Sequence, residues 1–486
     1  MPDFQIIQGG MGVGVSGWRL AGAVAQTGQL GVVSGTAVAV TLARRLQLGD
    51  ADGSIRRALA AFPVPGVADR LLARYFIDGG KPAHAPFKLT PMPHVAYGRA
   101  FTELTVAANF AEVFLAKEGH VGPIGINYLE KLQIPTLPSL FGAMLAGVDY
   151  VLMGAGIPRT IPGILDNLSR QEAAELRIDV DGAVAGEQTV CRFDPVKFAG
   201  EAPASAPVPA LRRPQFLAII SSATLAMTLA RKSDGRVDGF VVEGATAGGH
   251  NAPPRGPMRL NSRGEPIYSE RDAADLGKIR DLGLPYYLAG GFAEPAKLAE
   301  ALHAGAAGVQ IGTAFAFCEE SGIDPALKAR VIAESLAGRA QVRADPAASP
   351  TGFPFKVLQI DGTVSQPSVA GQRERVCDLG YLRRAYRKPD GTVGYRCPAE
   401  PVDQYVAKGG EAADTVGRLC VCNSLVSTIG LPQINEAGDP EPPLLTAGDD
   451  VAHLARFIKP GRDSYTARDV VNHVLNLTEQ EHHGTA

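Results

Sequence analysis

The feature that most limits the fold is an alternation of short apolar runs with helical stretches over the first two thirds of the chain. That alternation belongs to a parallel sheet wrapped by helices. The strand candidates are "FQIIQGG", "LGVVSG", "GPIGINYL", "DYVLMG", "FLAIISS", "GFVVEG", "PYYLAGG" and "AGVQIGTAF". Helical segments fall in most of the gaps, among them "GWRLAGAVAQTG", "LPSLFGAMLAG", "ATLAMTLARK" and "EPAKLAEALHAG". Eight such strands in one run predict an α/β fold of the closed (β/α)8 (TIM) barrel type, with an open doubly wound sheet as the competing arrangement.

Two stretches interrupt the rhythm. Residues 37–120 hold helical pieces ("SIRRALAAF", "DRLLARYFI") and a Pro-rich segment, and residues 177–213 are polar and rich in Pro and Ala. From about residue 340 the alternation stops. The expected organisation is therefore a barrel over 1–340 with insertions at about 37–120 and 177–213, and a C-terminal extension over 341–486 packed on it.

Composition narrows the partners. Hydrophobic residues at 45% and charged residues at 20% are ordinary for a folded soluble chain. A net charge of −3 gives no reason to expect nucleic acid or an anionic membrane. No apolar run reaches the length of a membrane span, and no leader pattern opens the chain. Six cysteines in 486 residues do not make a disulfide scaffold, which points to a reducing, cytoplasmic setting. A small-molecule substrate is expected, and a homo-oligomer is compatible with the sequence.

Gly12, Gly14 and Gly17 in "QIIQGGMGVGVSG" have the G-x-G-x-x-G spacing of a dinucleotide site. Such a site needs an acid at the end of the next strand to hold a ribose, and no acid occurs between Gly17 and Asp50. The stretch is better read as a first barrel loop, where missing side chains let a ligand lie against backbone.

A stronger signal comes late, in "LAGGFAEPAKLAEALHAGAAGVQIGTAF". One strand ends in Gly290 and Gly291, and the next ends in Gln310, Gly312 and Thr313. In barrels, loops after the seventh and eighth strands commonly form a phosphate site from backbone N–H groups. His250 follows Gly248 and Gly249 directly after another strand, where an imidazole can serve as base or orient a substrate.

These stretches resemble the nitronate monooxygenase (2-nitropropane dioxygenase) family of FMN-dependent (β/α)8 enzymes. The likeness rests on "IIQGGMGVGVSG", "GINYL", "GATAGGH" and the paired late glycine loops, and spans roughly residues 3–320 outside the insertions. It implies FMN as cofactor, with Met11 and Gly12 beside the flavin ring and Asn127 near it. It also implies His250 as the catalytic residue, after Gly248 and Gly249. Gly290, Gly291, Gly312 and Thr313 would hold the phosphate, with Gln310 beside them. Glu243 stands where the family commonly has Gln, and Thr246 where it has Glu. A carboxylate at 243 near the ring would disfavour an anionic reduced flavin.

The reaction the resemblance implies is oxidation of alkyl nitronates with O2 to carbonyl compounds and nitrite. Two alternatives remain open: an NAD(P)H-dependent FMN reductase acting on an enoyl-acyl-carrier protein or a quinone, and a non-catalytic flavin-binding barrel. An inosine-monophosphate-dehydrogenase-like barrel also has late phosphate loops. Its chemistry needs a nucleophilic Cys, and residues 214–287 contain none.

Cys377, Cys397, Cys420 and Cys422 are concentrated in the extension, the last two as "LCVCN". Four thiolates are a candidate zinc site or iron–sulfur cluster, with scattered buried cysteines as the other reading. Cys191 and Cys318 are expected to be structural.

Overall fold

The computed structural model describes residues 4–200 and 210–477. Residues 201–209 of the second insertion, and the tips 1–3 and 478–486, lie outside the described residues.

The eight expected strands form one parallel sheet in which each neighbour in space is its neighbour in sequence. In chain order they are Ile6–Gln8, Gly31–Ser34, Ile124–Leu129, Tyr150–Gly154, Gln215–Ile220, Gly239–Glu243, Tyr286–Ala289 and Gly308–Ile311. The first strand pairs with the eighth in parallel, Ile7 opposite Gln310. Its other edge meets the second: the Gln8 N–H donates to the Leu30 carbonyl at 2.9 Å, and the Leu30 N–H to Ile6 at 3.1 Å. The Gln8 side chain adds a stitch, accepting from the Val32 N–H at 2.9 Å. The sheet therefore closes on itself. It is a (β/α)8 barrel.

The strands read as continuous apolar runs because both faces are buried, one against helices and one inside the barrel. The inside is filled. Phe4, Ile7, Leu30, Val32, Leu152, Leu217, Val241 and Tyr287 form one buried cluster. Phe4 stacks on Tyr287 with ring centroids 5.5 Å apart and meets Tyr150 edge-on at 5.4 Å. A barrel packed in this way is open to ligands only at its ends.

The first insertion carries four helices, of which Arg99–Lys117 is the longest and is buried along most of its length. It packs on Thr136–Leu145, the helix after the third strand, and on Trp18–Ala25, the helix after the first. The second insertion contributes an antiparallel pair, Ala174–Ile178 with Thr189–Phe193. Its Val180–Asp181 joins the extension by pairing with Arg384–Arg387.

The extension does more than lie on the surface. Its last helix, Ala467–Leu475, packs between Trp18–Ala25 and Pro295–His303, the helix after the seventh strand. It thus fills the eighth position in the helical ring. Val470, Val471 and Val474 are its buried stripe, and Thr466 with Asp469 forms a capping box at its start. Just before it, fully buried Tyr465 donates its hydroxyl to the Ala314 carbonyl at 2.7 Å. No described helix is long and apolar enough to cross a membrane.

Tyr465→Phe keeps the ring and leaves the Ala314 carbonyl without that donor. The expected loss of stability is about 1–2 kcal/mol by urea unfolding, with a native-like circular dichroism spectrum.

Candidate active site

The barrel's C-terminal mouth opens into one cavity of about 550 Å³. Every non-cysteine site residue expected from the sequence lines it: Met11, Gly12, Asn127, Glu243, Gly248, Gly249, His250, Gly290, Gly291, Gln310, Gly312 and Thr313. These positions come from five of the eight strand ends, and only barrel closure brings them together.

The loop after the sixth strand carries His250 and is gripped by the extension. The Gly249 N–H donates to Thr446 Oγ1 at 3.0 Å. The Gly249 carbonyl accepts from the Lys356 N–H at 2.9 Å, and the Asn251 N–H donates to Pro354 at 3.0 Å. The Thr246 carbonyl accepts from the Asp449 N–H at 3.1 Å. A Cβ on Gly248 would lie 2.7 Å from the Ala447 carbonyl carbon and the Gly448 nitrogen, so the two backbones touch only because residue 248 has no side chain.

His250 Nε2 lies 2.6 Å from Ser349 Oγ, whose own neighbour is Thr351 Oγ1 at 2.9 Å. The imidazole packs on Phe355, with ring centroids 4.6 Å apart. Burial, reinforced by the Lys131 ammonium, holds its pKa well below the ordinary histidine value. The ring is neutral at pH 7 and a weak base.

Across the mouth, Asn127 Nδ2 donates to the Gly10 carbonyl at 3.3 Å, while its Oδ1 is buried without a partner. Gln310 Oε1 and Asn251 Oδ1 are also buried and unpartnered among the described residues. Glu243, the last residue of the sixth strand, lines the cavity at the mouth. Burial pushes its carboxyl up to about 7, against the opposing pull of Lys131 and Lys356. On the far side, Thr313 Oγ1 accepts from the Gly448 N–H at 2.8 Å, which leaves its O–H to donate elsewhere. A Cβ on Gly291 would meet only Thr246 Oγ1, at 3.9 Å, and its φ of +74° further favours glycine.

The sequence reading missed Lys131, Ser349, Phe353 and Phe355. Lys131 had a visible signal, since it lies just past the strand that carries Asn127. The other three come from the extension, where no periodic pattern marks them.

Cys377, Cys397, Cys420 and Cys422 do line one small cavity of about 10 Å³, and Cys422 also reaches the large one. Among the described residues no three His, Cys, Asp or Glu side chains are grouped so as to hold an ion. Burial raises the pKa of all four thiols. Cys191 and Cys318 are buried, as expected of structural residues.

Residues 167–344 match the family model for nitronate monooxygenase. A curated relative is similar over a shorter stretch: (3aS,4S,5R,7aS)-5-hydroxy-7a-methyl-1-oxo-octahydro-1H-indene-4-carboxyl-CoA dehydrogenase of Mycobacterium tuberculosis (strain ATCC 25618 / H37Rv), 32% identical over 125 residues. That match covers 26% of this chain and spans 30% of the relative's length. Among solved structures, nitroalkane oxidase from Streptomyces ansochromogenes is 16% identical at a TM-score of 0.47, covering 98% of this chain and 95% of that one. FabK from Thermotoga maritima is 15% identical at a TM-score of 0.45, covering 98% and 93%.

Glu243 carries a pH signature. Its folded pKa lies above the ordinary 4.5, so its contribution to stability is full below pH 4.5 and is lost as pH rises through about 7. Glu243→Gln removes that loss. The variant is expected to match wild type near pH 4.5 and exceed it by roughly 1–3 kcal/mol at pH 8.5, read by urea unfolding across pH.

Proposed function

We propose, from the match of residues 167–344 to the nitronate monooxygenase family model, that the chain is an FMN-dependent oxidoreductase oxidising alkyl nitronates with O2 to carbonyl compounds and nitrite. The observation that carries this reading is the single mouth cavity with unpartnered Asn127 and Gln310 oxygens on one wall and a neutral His250 on another.

The residues present fit the cofactor. Asn127 Oδ1 and Gln310 Oε1 are acceptors suited to the N–H group of a planar heterocycle, and Met11 and Gly12 border the same space. Gly290, Gly291, Gly312 and Thr313 would hold the phosphate through backbone N–H groups and the Thr313 hydroxyl. FMN bound there supplies the redox chemistry.

The protein's part is to bind and orient the substrate. A nitronate has already lost its proton and needs no base. A neutral nitroalkane would need one, and the buried, weakly basic His250 is poorly matched to that task. The imidazole is instead suited to hydrogen-bonding a nitronate oxygen, its orientation set by Ser349 and Phe355. Because Glu243 keeps its proton up to about pH 7, it brings less negative charge to the cavity than its position in the sequence suggested.

His250→Asn is expected to lower nitronate turnover by about a hundredfold or more while the protein keeps its FMN. Anaerobic mixing of holoprotein with butyl-1-nitronate, NADH or NADPH, followed at the flavin absorption bands, tests the reaction itself. Bleaching by the nitronate supports the reading. Bleaching by NADH or NADPH alone would replace it with a reductase, and no bleaching by any donor with a non-catalytic barrel.

A further inference from the structure

We infer that Lys131 is the substrate-selecting residue of this cavity, its ammonium receiving the planar oxyanion head of a compound whose body is apolar. The inference deepens the proposed function and rests on it for the reaction.

Lys131 lies two residues past the end of the third strand and lines the cavity. Its Nζ is buried and makes no hydrogen bond among the described residues. An ammonium has three donors, and burying it with all of them unused is unfavourable unless a ligand supplies acceptors. Glu130 and Glu243 are near enough to raise its proton affinity, but neither hydrogen-bonds to it. Other buried lysines are satisfied. Lys328 donates to the carbonyls of Cys318, Glu319 and Ser321 at 2.8, 2.9 and 3.1 Å, and Lys356 pairs with Asp449.

What Lys131 does touch is the face of Phe353, with Nζ 4.0 Å from the ring centroid. Phe353 belongs to the extension, so this cation–π contact holds the ammonium where barrel and extension meet. In a ring of eight strands the third and seventh stand opposite each other. Lys131 is therefore across the mouth from the glycine loops proposed for the phosphate, and its anion is a different one.

The surroundings define that anion's owner. Leu132, Phe355, Tyr381, Leu382 and Leu425 line the same cavity as Phe353. Such walls accept an alkyl or acyl chain. Burial lowers the Lys131 pKa to about 8, which leaves the group mostly charged at neutral pH. Nitronate and carboxylate share the required chemistry: two oxygens in a plane carrying one delocalised negative charge.

The test compares FMN-loaded wild type, Lys131→Met and Lys131→Arg. Two quantities are read: KM and kcat for butyl-1-nitronate, and calorimetric Kd for hexanoate with hexanol as its uncharged counterpart. Lys131→Met is expected to raise the nitronate KM and the hexanoate Kd about tenfold or more, with hexanol binding and FMN content unchanged, and Lys131→Arg to recover part of both. Equal hexanoate affinity in wild type and Lys131→Met overturns the inference. Should Lys131→Met not fold, the wild type decides: hexanol bound as tightly as hexanoate overturns it, and a clear preference for hexanoate supports it. Lys131-dependent hexanoate binding without nitronate turnover sinks the proposed reaction and leaves this inference standing, with a carboxylate as the ligand.

Discussion

The site depends on backbone contact between two segments far apart in the chain. The Gly248–Asn251 stretch is held by hydrogen bonds to Pro354, Lys356 and Thr446, and Gly248 presses directly on Ala447 and Gly448. The barrel sets where this loop starts, but the extension sets where it goes. His250 is therefore a residue of the barrel positioned by something that is not barrel, and its partners Ser349 and Phe355 come from the same outside source. A free barrel loop would be the most mobile part of such a fold. Here it is clamped on both sides.

The clamp is itself anchored by buried charge. Arg44, on the helix Val38–Gln47 after the second strand, donates to the Leu431 carbonyl at 2.6 Å and lies 3.9 Å from Asp378. Arg373 and Glu441 pair at 2.6 Å, with both side chains nearly fully buried. Ser424 donates to Glu441 at 2.9 Å, and Asn423 to Asp378 at 2.6 Å. Burial lowers the Arg44 pKa to about 10, so the guanidinium is still charged under any physiological condition. Pairs of this kind add little net stability. They do penalise every docking in which a partner is missing, and so fix one seating of the extension.

The barrel was legible because the strands are mostly apolar runs, six of the eight ending in or followed by glycine, and a ring made in sequence order needs no long-range guess. The candidate site residues followed for the same reason: they sit at strand ends, where glycines mark close approach. The roof was not legible. Its contacts run through main-chain atoms of residues such as Thr446 and Ala447, and backbone pairing leaves no side-chain signature. The helix Ala467–Leu475 shows the division well. Its capping box, Thr466 with Asp469, is plain in the sequence, but nothing local says that it belongs between the first and seventh barrel helices. The four clustered cysteines share one small void, but no group of three or more metal-ligating side chains is found among the described residues, and proximity in sequence could not tell a metal site from buried thiols.

That last helix also sets an order of events. The first helix, Trp18–Ala25, is made well before the neighbour that covers one of its flanks, Ala467–Leu475. Until then the ring of helices has a gap, with apolar surface on either side of it. Contacts between such distant segments form slowly, because a long stretch of chain must be brought together before they contribute. The nascent chain therefore carries an unfinished helical ring until that helix has been made.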